Sequence, residues 1–307
     1  MRRVKALVAR VDGFGGVLLC GPAVRAVATR ADRVAMLCPA DAAPAARLLP
    51  HVDDVIEWDP ARPRPDADGS DLVGRLSSGA YDVALVLTPG GASPLPLARL
   101  LREARVGRIG ADSDRPAGVL DVPHRRLPGR HEAEAALDTA EAMGFRLRAG
   151  DQGRLRVLPA PDTAGLTGNG PYVVLHPGAA ATAAGPGPCA RTVALLADAG
   201  HRVVVTGTPD EADATRRISA DIAVDLGGRT DPRALAGVLR AADVLVTGDP
   251  DTAQLAAAVG TPVVSLTAEA APEGERTPYK VPVVRCGDGR PADVVRAIRH
   301  LLAHLPR

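Results

Sequence analysis

Val244-Leu245-Val246-Thr247-Gly248-Asp249-Pro250-Asp251-Thr252-Ala253-Gln254-Leu255, closing in Gly260-Thr261-Pro262-Val263-Val264, is the stretch that decides the fold. A short apolar, β-branched run leads into an acidic turn, then an Ala-rich helix over Thr252 to Val259, then a second apolar run. Short apolar strands on both sides of a helix imply buried parallel strands. In this reading Asp251 or Thr252 caps the helix, and its free amides are left for a diphosphate. Two carboxylates beside a pyrophosphate fit only if one holds sugar hydroxyls or the other merely caps. Asp249-Pro250-Asp251 is spelled like a metal-binding DxD, but it occupies the nucleotide turn, so no metal is expected.

The same alternation extends outward in both directions. Tyr172 to Leu175, Arg202 to Thr206 and Val263 to Leu266 read as further strands of the second half. Helices are expected over Cys189 to Ala199, Asp210 to Ile218 and Pro232 to Arg240. In the first half the strands are Ala6 to Ala9, Val34 to Cys38, Val55 to Trp58 and Val83 to Leu87. Helices there are Gly21 to Thr29, Ala43 to Leu49 and Glu132 to Gly144. The Pro/Gly-rich stretch from Leu158 to Pro171 separates two doubly wound domains, 1–158 and 171–290. A last amphipathic helix, Pro291 to Leu305, is expected to cross back onto the first domain. Two such domains facing a central cleft bind ligands at the carboxyl ends of their strands.

Composition bounds the function. The chain has 307 residues, a net charge of +1 and only 2% aromatic side chains. That balance gives no general pull toward nucleic acid or an anionic membrane, and few platforms for stacking bases. Lys5 and Lys280 are the only lysines, and with the Ala, Gly and Pro excess this looks like GC-rich bacterial coding. Cys20, Cys38, Cys189 and Cys286 have no paired or metal-like spacing and read as free thiols in a reducing compartment. The apolar start is short and broken by Arg10 and Asp12, so it reads as the first strand rather than a signal sequence. No apolar run spans a membrane. A cytoplasmic location is expected.

Four turns carry candidate chemistry. Arg10-Val11-Asp12-Gly13-Phe14-Gly15-Gly16-Val17 is a glycine-rich turn after the first strand, where Gly13, Gly15 and Gly16 let backbone approach a ligand. It is not the GxGxxG pattern of dinucleotide sites, and a plain tight turn explains it equally well. His176-Pro177-Gly178 ends the first strand of the second half, followed by a small, uncharged segment, Ala179 to Pro188, that reads as loop or lid. Thr206-Gly207-Thr208-Pro209-Asp210-Glu211 offers Glu211 to a ribose diol, or alternatively as a first-turn carboxylate favoured by the helix dipole. The fourth turn is Gly248-Asp249-Pro250-Asp251-Thr252.

Together these motifs resemble glycosyltransferase family 9, the ADP-heptose heptosyltransferases. The likeness includes Arg10 to Gly15, Leu49-Pro50-His51-Val52-Asp53-Asp54-Val55 and His131 to Phe145. It continues through His176-Pro177-Gly178-Ala179, Thr206-Gly207 with Glu211, Leu226-Gly227-Gly228-Arg229-Thr230, and Ala256 to Pro262. The resemblance implies a GT-B fold whose first domain takes the acceptor and whose second holds ADP. It implies inverting transfer of heptose, with a carboxylate as general base. The chain departs from the pattern in three places. Gly15-Gly16 stands where the family has Gly-Asp, the Asp being the base. The basic residue and Trp of the loop after His-Pro-Gly are missing from Ala183-Ala184-Gly185-Pro186-Gly187. Asp249-Pro250-Asp251-Thr252-Ala253-Gln254 replaces Asp-Thr/Ser-Gly-x-x-His.

Asp12, the nearest surviving carboxylate, is the substitute base, a role worth roughly 10²- to 10⁴-fold in rate. Helix amides, or an arginine such as Arg191 or Arg229, would meet the leaving diphosphate. The expected partners are an ADP-sugar donor and a small-molecule acceptor, with no nucleic acid and no metal cofactor. A GC-rich Gram-positive source would lack lipopolysaccharide, which points to an aminoglycoside or nucleoside antibiotic as acceptor. The rival readings are a non-catalytic nucleotide-sugar-binding paralogue and another GT-B-like enzyme, such as an epimerase or hydrolase.

Overall fold

The computed structural model describes residues 4–58, 69–113, 118–178, 185–266, 276–287 and 289–304. The chain forms two compact units, Met1–Leu158 with Pro272–Arg276, and Pro159–Ala271 with Thr277–Arg307. Each is built on one six-stranded sheet.

In the first unit the strands are β1 (Lys5–Ala9), β2 (Arg33–Cys38), β3 (Asp54–Glu57), β4 (Val83–Val86), β5 (Arg108–Asp112) and β6 (Val122–His124). They pair in parallel in the order β3-β2-β1-β4-β5-β6. Ala6, Leu7, Val8 and Ala9 of β1 are all fully buried, which is why the strand does not alternate with polar residues. Helices α1 (Phe14–Leu19), α2 (Gly21–Val27), α3 (Ala43–Leu48), α4 (Gly69–Gly79), α5 (Leu95–Glu103) and α6 (Glu132–Ala142) cover the sheet. Leu72 and Leu76 of α4 and Leu97 and Leu101 of α5 join Leu7, Leu37, Val86 and Ile109 in one core cluster. Each such aliphatic side chain, fully buried, contributes about 1.5–3 kcal/mol.

After the short helix α7 (Ala164–Thr167), the second unit repeats the plan. Its strands are β7 (Val173–His176), β8 (Val203–Gly207), β9 (Val224–Gly227), β10 (Val244–Thr247), β11 (Val263–Ser265) and β12 (Val283–Arg285). All pairings are parallel, in the order β12-β11-β10-β7-β8-β9. The helices are α8 (Gly187–Asp198), α9 (Ala212–Ser219), α10 (Pro232–Arg240), α11 (Pro250–Val259) and α12 (Pro291–His304). Numbered within each unit, both sheets follow the order 3-2-1-4-5-6, the doubly wound Rossmann arrangement.

Several expectations need correction. The closing helix α12 packs on α8, β10 and β11 of its own unit, where Val294, Ile298 and Leu301 enter the core. Gly15 and Gly16, expected in a turn, are buried in the first turns of helix α1, which begins directly after Gly13. Gly187 and Pro188, read as part of a loop, open helix α8. The residues of that loop from Ala179 to Ala184, Ala179 of the His-Pro-Gly-Ala motif among them, lie outside the described residues. Cys20, Cys38 and Cys189 are buried free thiols, whereas Cys286 is half-buried.

Candidate functional site

In a doubly wound sheet the connections leave in opposite directions from the first and fourth strands, opening a crevice at their carboxyl ends. In the second unit those strands are β7 and β10, and Thr247 is in register with His176. The His176-Pro177-Gly178 and Gly248-Asp249 turns, distant in sequence, therefore emerge side by side. Their glycines are required by that closeness. A Cβ on Gly248 would stand 2.6 Å from the Pro177 carbonyl oxygen. One on Gly178, whose φ is +76°, would stand 3.0 Å from the Asp249 Cβ. No other residue type fits either position without moving backbone.

His176 is buried, and its Nδ1 lies 3.0 Å from the Thr206 hydroxyl at the end of neighbouring β8. Its Nε2 faces Asp249 Oδ2 at 3.8 Å. Burial lowers the His176 pKa, against the opposing pull of the Asp249 and Glu211 charges, so the ring is neutral at pH 7. The structure thus brings Thr206, Gly207, His176, Pro177, Gly178, Gly248 and Asp249 together at one end of three adjacent strands.

The helix cap differs from the sequence reading. Asp249, not Asp251 or Thr252, is the N-cap of α11, because Pro250 at the first position needs no amide partner. The Asp249 carboxylate accepts from the Thr252 amide at 2.9 Å, more weakly from the Asp251 amide at 3.3 Å, and also from the Thr252 hydroxyl. Those two amides are consequently not free for a diphosphate. Asp251 sits in the first turn, favoured there by the helix dipole. Gln254, where the family pattern has His, is buried and donates from Nε2 to the Thr277 carbonyl at 3.1 Å.

Glu211 serves its own helix. Its Oε2 accepts from the Thr208 amide at 2.8 Å and hydroxyl at 3.0 Å, a capping box that closes the turn after β8. Gly227-Gly228 is a packing motif: a Cβ on Gly227 would collide with the Thr215 hydroxyl, and the Gly228 amide donates to the Gly207 carbonyl at 2.9 Å. Asp53, in the Pro-x-hydrophobic-Asp-x-Val match, likewise closes the β2–β3 edge by accepting from the Val34 amide at 2.8 Å. Arg191 and Arg229 are both exposed.

In the first unit the crevice lies between β1 and β4, and Asp12 follows β1 directly. Arg10 is almost fully buried and holds Asp12 through both Nε and Nη2. The same Nη2 also donates to Glu132, the buried first residue of α6. Arg276 donates to Asp12 Oδ2 at 2.9 Å, and its Nε lies 3.4 Å from Glu132 Oε2. Two guanidiniums and two carboxylates thus form one compact network. Burial works to lower the Arg10 pKa, but the Asp12 hydrogen bond and the nearby negative charges outweigh it, and the pKa is raised. Burial pushes the neighbouring Cys20 thiol up to about 12, so it is a packed hydrophobe and not a nucleophile.

Gly16 leaves room for the Asp12 side chain. A Cβ built on Gly16 would land on the Asp12 carboxylate oxygens. Asp12 therefore occupies the space where a side chain at position 16 would begin. Glu132, Arg10 and Arg276 were not singled out by sequence reasoning. Arg10 and Glu132 lie within matched motifs, but only the fold joins a strand end to a helix start, and nothing local marks Arg276.

Among the described residues no group of three or more His, Cys, Asp or Glu could hold a metal ion. No helix among them is long and apolar enough to cross a membrane.

The family model for glycosyltransferase family 9 (heptosyltransferase) matches residues 72–296. Among solved structures, the chain is similar to the glycosyl transferase family 9 protein from Veillonella parvula DSM 2008, with 14% identity, 98% of each chain covered and a TM-score of 0.78. E. coli heptosyltransferase WaaC with ADP matches at 18% identity, covering 97% of this chain and 100% of that one, with a TM-score of 0.75. E. coli ADP-heptose lps heptosyltransferase II matches at 19% identity and 0.69, covering 97% and 98%. No curated protein matches in sequence. The two Rossmann-like units are those of the GT-B fold, and the chain belongs to glycosyltransferase family 9.

Proposed function

We propose that this glycosyltransferase moves a heptose, or a similar sugar, with inversion from an ADP-linked donor to a small-molecule acceptor. The donor's nucleotide is held in the second unit, around His176–Gly178, Thr206–Gly207 and Gly248–Thr252. The acceptor is taken by the first unit. Asp12 receives the proton of the acceptor hydroxyl as its oxygen bonds to the anomeric carbon and ADP leaves. No metal takes part, and exposed Arg191 or Arg229, rather than the two amides already used by Asp249, meets the leaving diphosphate.

The observation that carries this reading is the position of Asp12, whose carboxylate fills the space that a side chain at Gly16 would enter. Arg10 fixes that carboxylate from a buried position. The acceptor class proposed is a specialised metabolite, an aminoglycoside or nucleoside antibiotic, modified in the cytoplasm. One observation favours a non-catalytic nucleotide-sugar binder as the second reading: Arg10 and Arg276 already occupy Asp12.

Release of ADP from an ADP-linked heptose, followed with and without such an acceptor, separates the two readings. Transfer predicts acceptor-dependent release, cut roughly 10²- to 10⁴-fold in Asp12→Asn with ADP binding retained. Full rate in that variant removes Asp12 as base, and donor binding without turnover favours the binder.

A further inference from the structure

We propose that a cavity of about 350 Å³ in the first unit, lined by Arg25, Arg148, Arg156 and His51, binds a small phosphorylated anion. It is separate from the proposed transfer site. Asp12 follows the carboxyl end of β1, whereas this cavity lies at the opposite ends of the strands. Ala28, just past α2, leads toward β2, and His51 lies three residues before the start of β3.

Arg25 carries the argument. Its side chain is only 7% exposed. Nε and Nη2 donate to the two Asp151 oxygens at 2.8 and 3.0 Å, and Nη2 also reaches the Arg154 carbonyl at 2.8 Å. Its Nη1 is buried and has no hydrogen-bond partner. A buried guanidinium nitrogen left unpaired is costly, which marks the Arg25 side of this cavity as incompletely satisfied.

The charge around it is unbalanced in the same sense. Asp151, held down to about 2 chiefly by its hydrogen bond from Arg25, remains an anion and neutralises that one guanidinium. Arg156 comes no nearer to Asp151 than 3.9 Å and is 54% exposed, and Arg148, also exposed, lines the same cavity. Two cations are thus left facing a cavity that the buried Arg25 also lines. Forked guanidinium donors match phosphoryl oxygens in geometry and charge.

Calorimetric titration of the full chain with pyrophosphate, inorganic phosphate and citrate, in excess ADP, tests the assignment apart from the nucleotide turn. Saturable pyrophosphate or phosphate binding is expected, weakened at least tenfold in the Arg148→Ala/Arg156→Ala double variant. These are exposed residues, and ADP affinity should not change with them. Absence of a phosphate-class isotherm, equal affinity in the double variant, or citrate binding as tightly as pyrophosphate would overturn the proposal.

Discussion

His176 has Thr206 at one ring nitrogen and Asp249 facing the other, in a setting that leaves the ring almost no solvent. Its pKa is lowered chiefly by burial, so below about 6.5 the unfolded chain takes up a proton that the folded ring resists. The His176 contribution therefore costs stability progressively as pH falls below about 6.5, until the folded ring also protonates. Urea melts at pH 7.5 and 5.5 should show a larger loss for the wild type than for His176→Asn. Parallel losses would mean that the ring titrates normally. At this scale the sequence singled out His176 and Asp12 and left Glu211 between a ribose contact and a first-turn carboxylate, and the folded turn gives it the capping role. Local spelling cannot distinguish a carboxylate aimed at a ligand from one spent on its own helix.

Helix α11 shows the same limit at the level of an element. Its strand-helix-strand pattern and its closing Gly260, at φ +89°, were legible because apolar periodicity and the glycine stop are local. Its cap was misread by two or three residues, because Pro250 can open a helix and only the folded turn shows which carboxylate reaches back. Asp249→Ala should cost about 0.5–2 kcal/mol by leaving the Asp251 and Thr252 amides without their acceptor, whereas Asp249→Asn should retain most of the stability. Chemical denaturation of both variants checks this, and equal stability of the two would remove Asp249 as the cap. The strands absent from the sequence reading are the marginal ones. Val122–His124 and Val283–Arg285 have three residues each and lie at sheet edges, Arg108–Asp112 contains Gly110, and Val224–Gly227 carries Asp225. None presents the buried β-branched run that marked β7, β8 and β10.

Over the whole molecule, the repeated strand order places the Asp12-Gly13 segment after β1 and the His176–Gly178 turn after β7 at equivalent crevices, one per sheet. The alternation of strands and helices announced this architecture, since parallel strands buried on both faces leave a continuous apolar signature. The convergence of residues distant in the chain could not be read the same way. Gly178 with Asp249, Gly248 with Pro177, and Glu132 with Arg10 and Arg276 meet only through strand order and helix packing. The central claim is that ADP binds where β8, β7 and β10 end in the second unit. Titrating ¹⁵N-labelled protein with ADP and following backbone amide shifts tests it most directly. The account predicts saturable shifts concentrated at Leu175–Gly178, Thr206–Glu211 and Gly248–Thr252; no saturable shift there, or a cluster confined to the first unit, would contradict it.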